Sequence, residues 1–210
     1  MKKGEFYEER GLDRIIGLSD GVFAFSFTLL SAELIVPSLT GNDLGKLTND
    51  LLGETPILIY FFFTFMITGS YWLSHHSVFR FIKGYDELMM RLNLIFLFFI
   101  TLMPFVTKLL MVYGHEQIVV IIAAIGYGAP GLIISLIWHY ASLNHHHIDE
   151  HFPLEFIRLT TIKNYIIPAV FIVSIPFSFI KPYYTMYFWL IFFPIKAIEH
   201  QMFRKVIDKD

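Results

Sequence analysis

"RIIGLSDGVFAFSFTLLSAEL", residues 14–34, is the stretch whose reading decides the fold. It is long and apolar enough to cross a bilayer, whose hydrocarbon core takes about 20 residues of helix. Yet Arg14, Asp20 and Glu33 lie within it or at its edge. A charge at mid-bilayer costs about 2.5–3.5 kcal/mol on insertion scales, so each must find compensation. At about 100° per residue, Arg14 and Asp20 stand roughly 240° apart and cannot pair on their own helix. Each needs a partner on another helix or a water-filled space.

The rest of the chain has the same greasy character. Of its 210 residues, 55% are hydrophobic and only 16% are charged, against about 25% charged in soluble domains. That balance points to an all-α integral membrane protein crossing the bilayer several times. The absence of Cys excludes disulfides, thiolate chemistry and Cys-based metal sites. The start, "MKKGEFYEERGLD", has no apolar core, so no cleaved signal peptide is expected and the first span should stay in the mature protein.

Six candidate spans follow from the apolar runs, near 13–36, 56–79, 92–113, 117–141, 164–181 and 184–202, forming a single six-span domain over 1–210. "YGHEQ" separates the third from the fourth and "KPYY" the fifth from the sixth, so both pairs read as tight hairpins. Pro168 and Pro176 each remove a backbone hydrogen bond and make the fifth span the least regular. With both termini in the cytoplasm, 13 of the 16 basic residues fall inside and only Lys46, Lys108 and Lys181 outside. The positive-inside rule therefore favours that orientation in the cell membrane, and an even span count agrees with it.

Two stripes run along the first helix. Phe25, Thr28, Leu29 and Ala32 fall within about 60° of one another and form a face that is apolar except for one hydroxyl. Ser19, Ser26 and Glu33 form a narrow polar face about 80–120° away. Periodicity alone favours the polar stripe as the lining of a water path, but it leaves open which stripe faces a pore.

The pattern Arg14, Leu18-Ser19-Asp20-Gly21-Val22-Phe23-Ala24, then Thr28-Leu29-Leu30, resembles the first helix of the transmembrane protein 175 family of potassium channels. "YWLSHHSVF", with Trp72, His75 and His76, is similar to the end of that family's second span. "RLNLIFLFFITLMPF", with Asn93 and Pro104-Phe105, is similar to its third. The resemblance implies a six-helix subunit assembling as a homotetramer around a central pore lined by first helices, passing potassium across the lipid bilayer with no cofactor and no catalytic or metal-binding residue. It also implies that the apolar stripe faces the pore: Phe25 at the constriction, Leu29 and Ala32 above it, and Thr28 as a hydroxyl ring. Arg14, Ser19, Asp20, Trp72, His75, His76 and Asn93 become a polar network behind the pore, with either His as the participant. Two residues depart from the family pattern. Leu18 stands where the signature has Phe, and Phe25 puts a ring where the family is usually aliphatic.

Other signals are weaker. "IGYGAP" at 125–130 lacks the preceding Thr-Val and the re-entrant loop of a carbonyl filter and reads as close helix packing. "HHHIDEH" at 145–151 suggests a His-dependent membrane metalloenzyme, although the spacing does not fit di-iron oxygenase clusters. A proton-coupled carrier using Asp20 and Glu33 is a further alternative. Ser and His lack any G-x-S-x-G context, and scattered basic residues give no footing for nucleic acid.

Overall fold

The computed structural model describes residues 3–32, 34, 53, 55–145, 147–149 and 153–198. Among them only helices and turns occur. α1 (Lys3–Ala32) has 30 residues and is about 45 Å long. That exceeds the ~30 Å hydrocarbon thickness, so its polar first turns extend beyond the apolar part, Gly11–Ala32. The positions 33, 35 and 36 of the expected first span lie outside the described residues. α2 (Thr55–Phe79) runs back antiparallel.

The third crossing begins at Glu87 rather than near 92 and is made of two helices, α3 (Glu87–Thr101) and α4 (Met103–Tyr113). Its early start has a local cause. Asp86 caps α3 by accepting the Met89 N–H at 2.9 Å, and the first turn's polar residues satisfy each other through an Arg91–Glu87 pair at 2.6 Å. The break at Leu102 follows from Pro104, which has no N–H for the carbonyl of Ile100. Ser26 of α1 reaches across and donates its hydroxyl to that oxygen at 3.1 Å.

α5 (Gln117–Ser142) is the axis of the bundle: 61% of its most apolar stretch is buried, against 22% for α1. Its glycines are where neighbours come closest. A Cβ on Gly126 would sit 2.8 Å from Val106 Cγ2, and one on Gly131 would sit 2.8 Å from Pro168 Cδ. The "IGYGAP" segment is thus packing surface within a continuous helix.

The fifth crossing starts at Leu154, not 164: α6 (Leu154–Ser174) runs on into a 3₁₀ turn, Ile175–Phe179. Some of the polar residues that dilute its early hydropathy are turned inward, although Glu155 and Arg158 are exposed. Thr160 and Asn164 are buried, and the Trp138 indole N–H meets Thr161 Oγ1 at 3.1 Å. Pro168 lies inside α6, and its ring occupies the space left by Gly131. After it come α7 (Pro182–Trp189) and α8 (192–198). Together they offer a 15-residue apolar stretch, Tyr184–Ile198, short of a full crossing among the described residues. Trp189 fastens α7 in place, donating to Ser174 Oγ at 2.8 Å and stacking 6.2 Å from Phe63. Among the described residues, five helical stretches are therefore long and apolar enough to span a membrane.

Candidate functional site

α1 divides lengthwise. Ser19, Phe23, Ser26 and Leu30, at i, i+4, i+7 and i+11, are buried against the rest of the bundle. The polar stripe therefore points inward in its described part, and its hydroxyls are engaged with backbone carbonyls: Ser19 donates to Ile15 O at 2.9 Å and Ser26 to Ile100 O. The apolar stripe points out. Phe25 is 61% exposed, and Thr28, Leu29 and Ala32 are exposed beside it. Gly17 and Gly21 edge the same face, and a Cβ on either would meet no atom within 4 Å. Small residues on an uncovered face let another helix approach closely in a membrane.

Thr28 donates its hydroxyl hydrogen to Ala24 O at 2.9 Å. The hydrogen is thereby turned back along the helix, and the oxygen's remaining lone-pair capacity is left for a donor or cation beside the exposed face.

Behind the buried edge lies a directed chain of hydrogen bonds. Ser19 Oγ spends its hydrogen on Ile15 and accepts from Asn93 Nδ2 at 3.1 Å. Asn93 Oδ1 then lies 3.0 Å from His75 Nε2, so that nitrogen must carry the hydrogen. The imidazole is stacked between Phe79 (centroids 4.2 Å) and Phe96 (5.4 Å), with Phe23 of α1 edge-on at 6.2 Å. His75 and Asn93 are each 2% exposed, so every polar atom of this chain depends on the others. A second link sits nearer the surface: the Trp72 indole N–H donates to Asp20 Oδ1 at 2.9 Å. Of the two adjacent histidines, His75 joins the chain, while His76 is exposed and stacks on Trp72 at 6.0 Å. Arg14 is not brought into this set; it lies exposed on α1, with no partner among the described residues.

A separate polar cluster clasps the loops at the end of the bundle holding 80–86 and 147–149. Asp86 accepts from the Tyr140 hydroxyl, from Met89 N–H and from His147 Nε2 at 3.3 Å. Lys83 pairs with Asp149 and donates its N–H to His147 O at 2.8 Å. Burial alone would raise the Asp86 carboxyl, but the three hydrogen bonds and the neighbouring imidazole outweigh it and hold it at about 2. Sequence reading missed this cluster, although Asp86 immediately before Glu87 is an N-cap signature. The His-rich segment is partly engaged here. Among the described residues no three His, Asp or Glu side chains are grouped to hold a metal, and His146, Glu150 and His151 lie outside them, as does Glu33.

A family model described as "Endosomal/lysosomal potassium channel TMEM175" matches residues 14–104, which hold the whole buried chain and both faces of the α1 span. A potassium channel of Streptomyces collinus is 30% identical over 154 residues, covering 71% of this chain and 74% of the relative. One from a Chryseobacterium species is 31% identical over 199 residues, covering 90% and 96%. In three dimensions the chain is similar to the crystal structure of a lysosomal potassium-selective channel TMEM175 homolog from Chamaesiphon minutus. The TM-score is 0.77 at 24% identity, over 90% of this chain and 98% of that one.

Proposed function

The chain belongs to the TMEM175 potassium channel family, and from that premise we propose that it forms a potassium-conducting leak pore in the cell membrane, walled by the outward face of α1. Four copies surround the axis, each contributing six helices, with Tyr184–Ile198 extended to complete the sixth and with both termini cytoplasmic. The family is one of channels, not enzymes, and no covalent step is asked of any residue.

The observation that carries this reading is the division of α1. Its buried edge is fixed to α2 and α3 by Ser19–Asn93–His75, by Asp20–Trp72 and by Ser26 on the Ile100 carbonyl. Its opposite face carries Phe25, Thr28, Leu29 and Ala32, all of them exposed. The anchoring bonds therefore set the rotation of α1, and that rotation decides which side chains meet at the axis. Phe25 supplies a hydrophobic constriction, which passes ions only when wetted. Thr28, one turn along, offers an oxygen whose hydrogen is already committed elsewhere, suited to replace part of an ion's water shell. Leu29 and Ala32 continue the narrow apolar wall. Arg14 and His76 have no part in the constriction.

The test is direct. Purified protein in liposomes should dissipate a potassium gradient in the absence of any cofactor, and cross-linking in the bilayer should end at a tetramer. Potassium-tight liposomes containing correctly folded tetramer would overturn the reading.

A further inference from the structure

The wall between α2, α4 and α7 contains a cavity of about 220 Å³. Phe63, Leu110 and Trp189 are buried at its base, and Ile59, Tyr187 and Leu190 stand half-exposed at its mouth. An apolar protein cavity of ~150 Å³ already stays dry and takes up benzene, so this one is large enough for a hydrocarbon guest. It is open rather than sealed, and its mouth lies on helices read here as spanning the membrane. What meets it is acyl chain, not water.

We propose that this cavity is a binding site for one acyl chain of an anionic phospholipid from the surrounding bilayer. Its depth along the membrane supports the assignment. The N-terminal turns of α2, the C-terminal turns of α4 and the start of α7 all lie at one end of the bundle. Lys181, exposed at that end, directly precedes α7. Met186 and Leu190 lie about 7 and 13 Å further along the helix, which is the distance a chain descends from its headgroup into the hydrocarbon. The Lys181 ammonium is held 5.7 Å over the Tyr184 ring, placing a positive charge at headgroup level on the helix that lines the cavity. Tyr60 from α2 reaches Met186 across the inner part of the cavity, its hydroxyl 3.7 Å from Sδ. That contact joins the two walls, and a chain seated beside it would brace α7 against α2.

The experiment uses the full chain in liposomes containing phosphatidylglycerol with a diazirine on one acyl chain, irradiated and mapped by peptide mass spectrometry. Phosphatidylcholine carrying the same label serves as the control. Adducts should concentrate on 59–63 and 186–190, several-fold above those on the exposed α3 residues Leu94 and Phe98, and phosphatidylglycerol should label better than phosphatidylcholine. Leu190→Trp, and independently Ile59→Trp from the other wall, should block the mouth and abolish the enrichment while leaving the α3 adducts unchanged. Lys181→Ala should erase the preference between headgroups. Adducts spread evenly over all lipid-facing helices, or enrichment that survives both Trp variants, would overturn the site. A headgroup preference unaffected by Lys181→Ala would overturn its anionic character. None of these readouts depends on ion conduction, so they stand or fall apart from the channel reading.

Discussion

Replacing Asn93 by Leu tests whether the buried chain behind α1 behaves as one unit. The substitution keeps the side-chain volume and deletes both the 3.0 Å bond from His75 and the 3.1 Å bond to Ser19. Ser19 keeps a partner, because its hydroxyl still donates to Ile15 O. His75 does not: its Nε2–H is left without an acceptor in a residue that is 2% exposed and enclosed by Phe79, Phe96 and Phe23. An orphaned buried donor costs about 1–3 kcal/mol. Hydrogen-bond couplings measured between membrane helices average nearer 0.6 and reach ~1.7, so a loss of about 1–2 kcal/mol is expected, roughly tenfold in the unfolding equilibrium. The decisive comparison is His75→Phe combined with Asn93→Leu. With both polar partners gone, the new ring stacks in the same aromatic slot and nothing is left unsatisfied. The double variant should therefore be more stable than Asn93→Leu alone. Reversible unfolding of the detergent-solubilised protein, followed by tryptophan fluorescence, gives all four corners of the cycle. A double variant as unstable as the sum of the two singles would refute the argument.

The Ile100 carbonyl gives a second cycle: Ser26→Ala should destabilise by about 1 kcal/mol, and Pro104→Ala in that background should recover part of it by restoring an amide N–H four residues on, read in the same unfolding assay. The Asp86 clasp predicts an acid limb. Folding lowers this carboxyl's pKa, so its stabilising contribution is complete above the unfolded value near 3.9 and fades as pH falls through about 2. Tyr140→Phe removes one of the hydrogen bonds that hold the pKa down, so melting temperatures taken between pH 5 and 2 should show a shallower acid limb than the parent's. Gly131→Val should weaken the α5–α6 contact, since even a Cβ there meets Pro168 Cδ at 2.8 Å; a melting temperature equal to the parent's would contradict the packing assigned to that glycine.

The sequence made the apolar crossings legible because hydropathy over about 20 residues depends little on packing. It did less well where polar residues are buried. In the early part of α6, Thr160 and Asn164 are buried and Thr161 meets Trp138 of α5, and a hydropathy window reads such residues as loop. The polar stripe of α1 is ambiguous in sequence for a related reason. A hydroxyl at Ser26 is equally suited to water and to a carbonyl, and only the fold shows that Pro104 leaves the Ile100 carbonyl within its reach. Periodicity did hold one unused clue. Ile67, Tyr71, His75 and Phe79, each four residues apart, are all buried, so the helical repeat already separated His75 from His76. The Asp86–Tyr140–His147 clasp joins residues far apart in sequence, and no local pattern could have paired them.

The central claim is that the outward face of α1 is the wall of a potassium pore. Reversal potentials of reconstituted protein under opposed potassium and sodium gradients test it most directly, for the parent beside Phe25→Ala, Thr28→Val and Ser26→Val. The account predicts that Phe25→Ala raises conductance and weakens discrimination, and that Thr28→Val lowers potassium preference in a tetramer that still assembles. Ser26→Val should change stability alone. Selectivity changes confined to Ser26→Val, with Phe25→Ala and Thr28→Val indistinguishable from the parent, would contradict it.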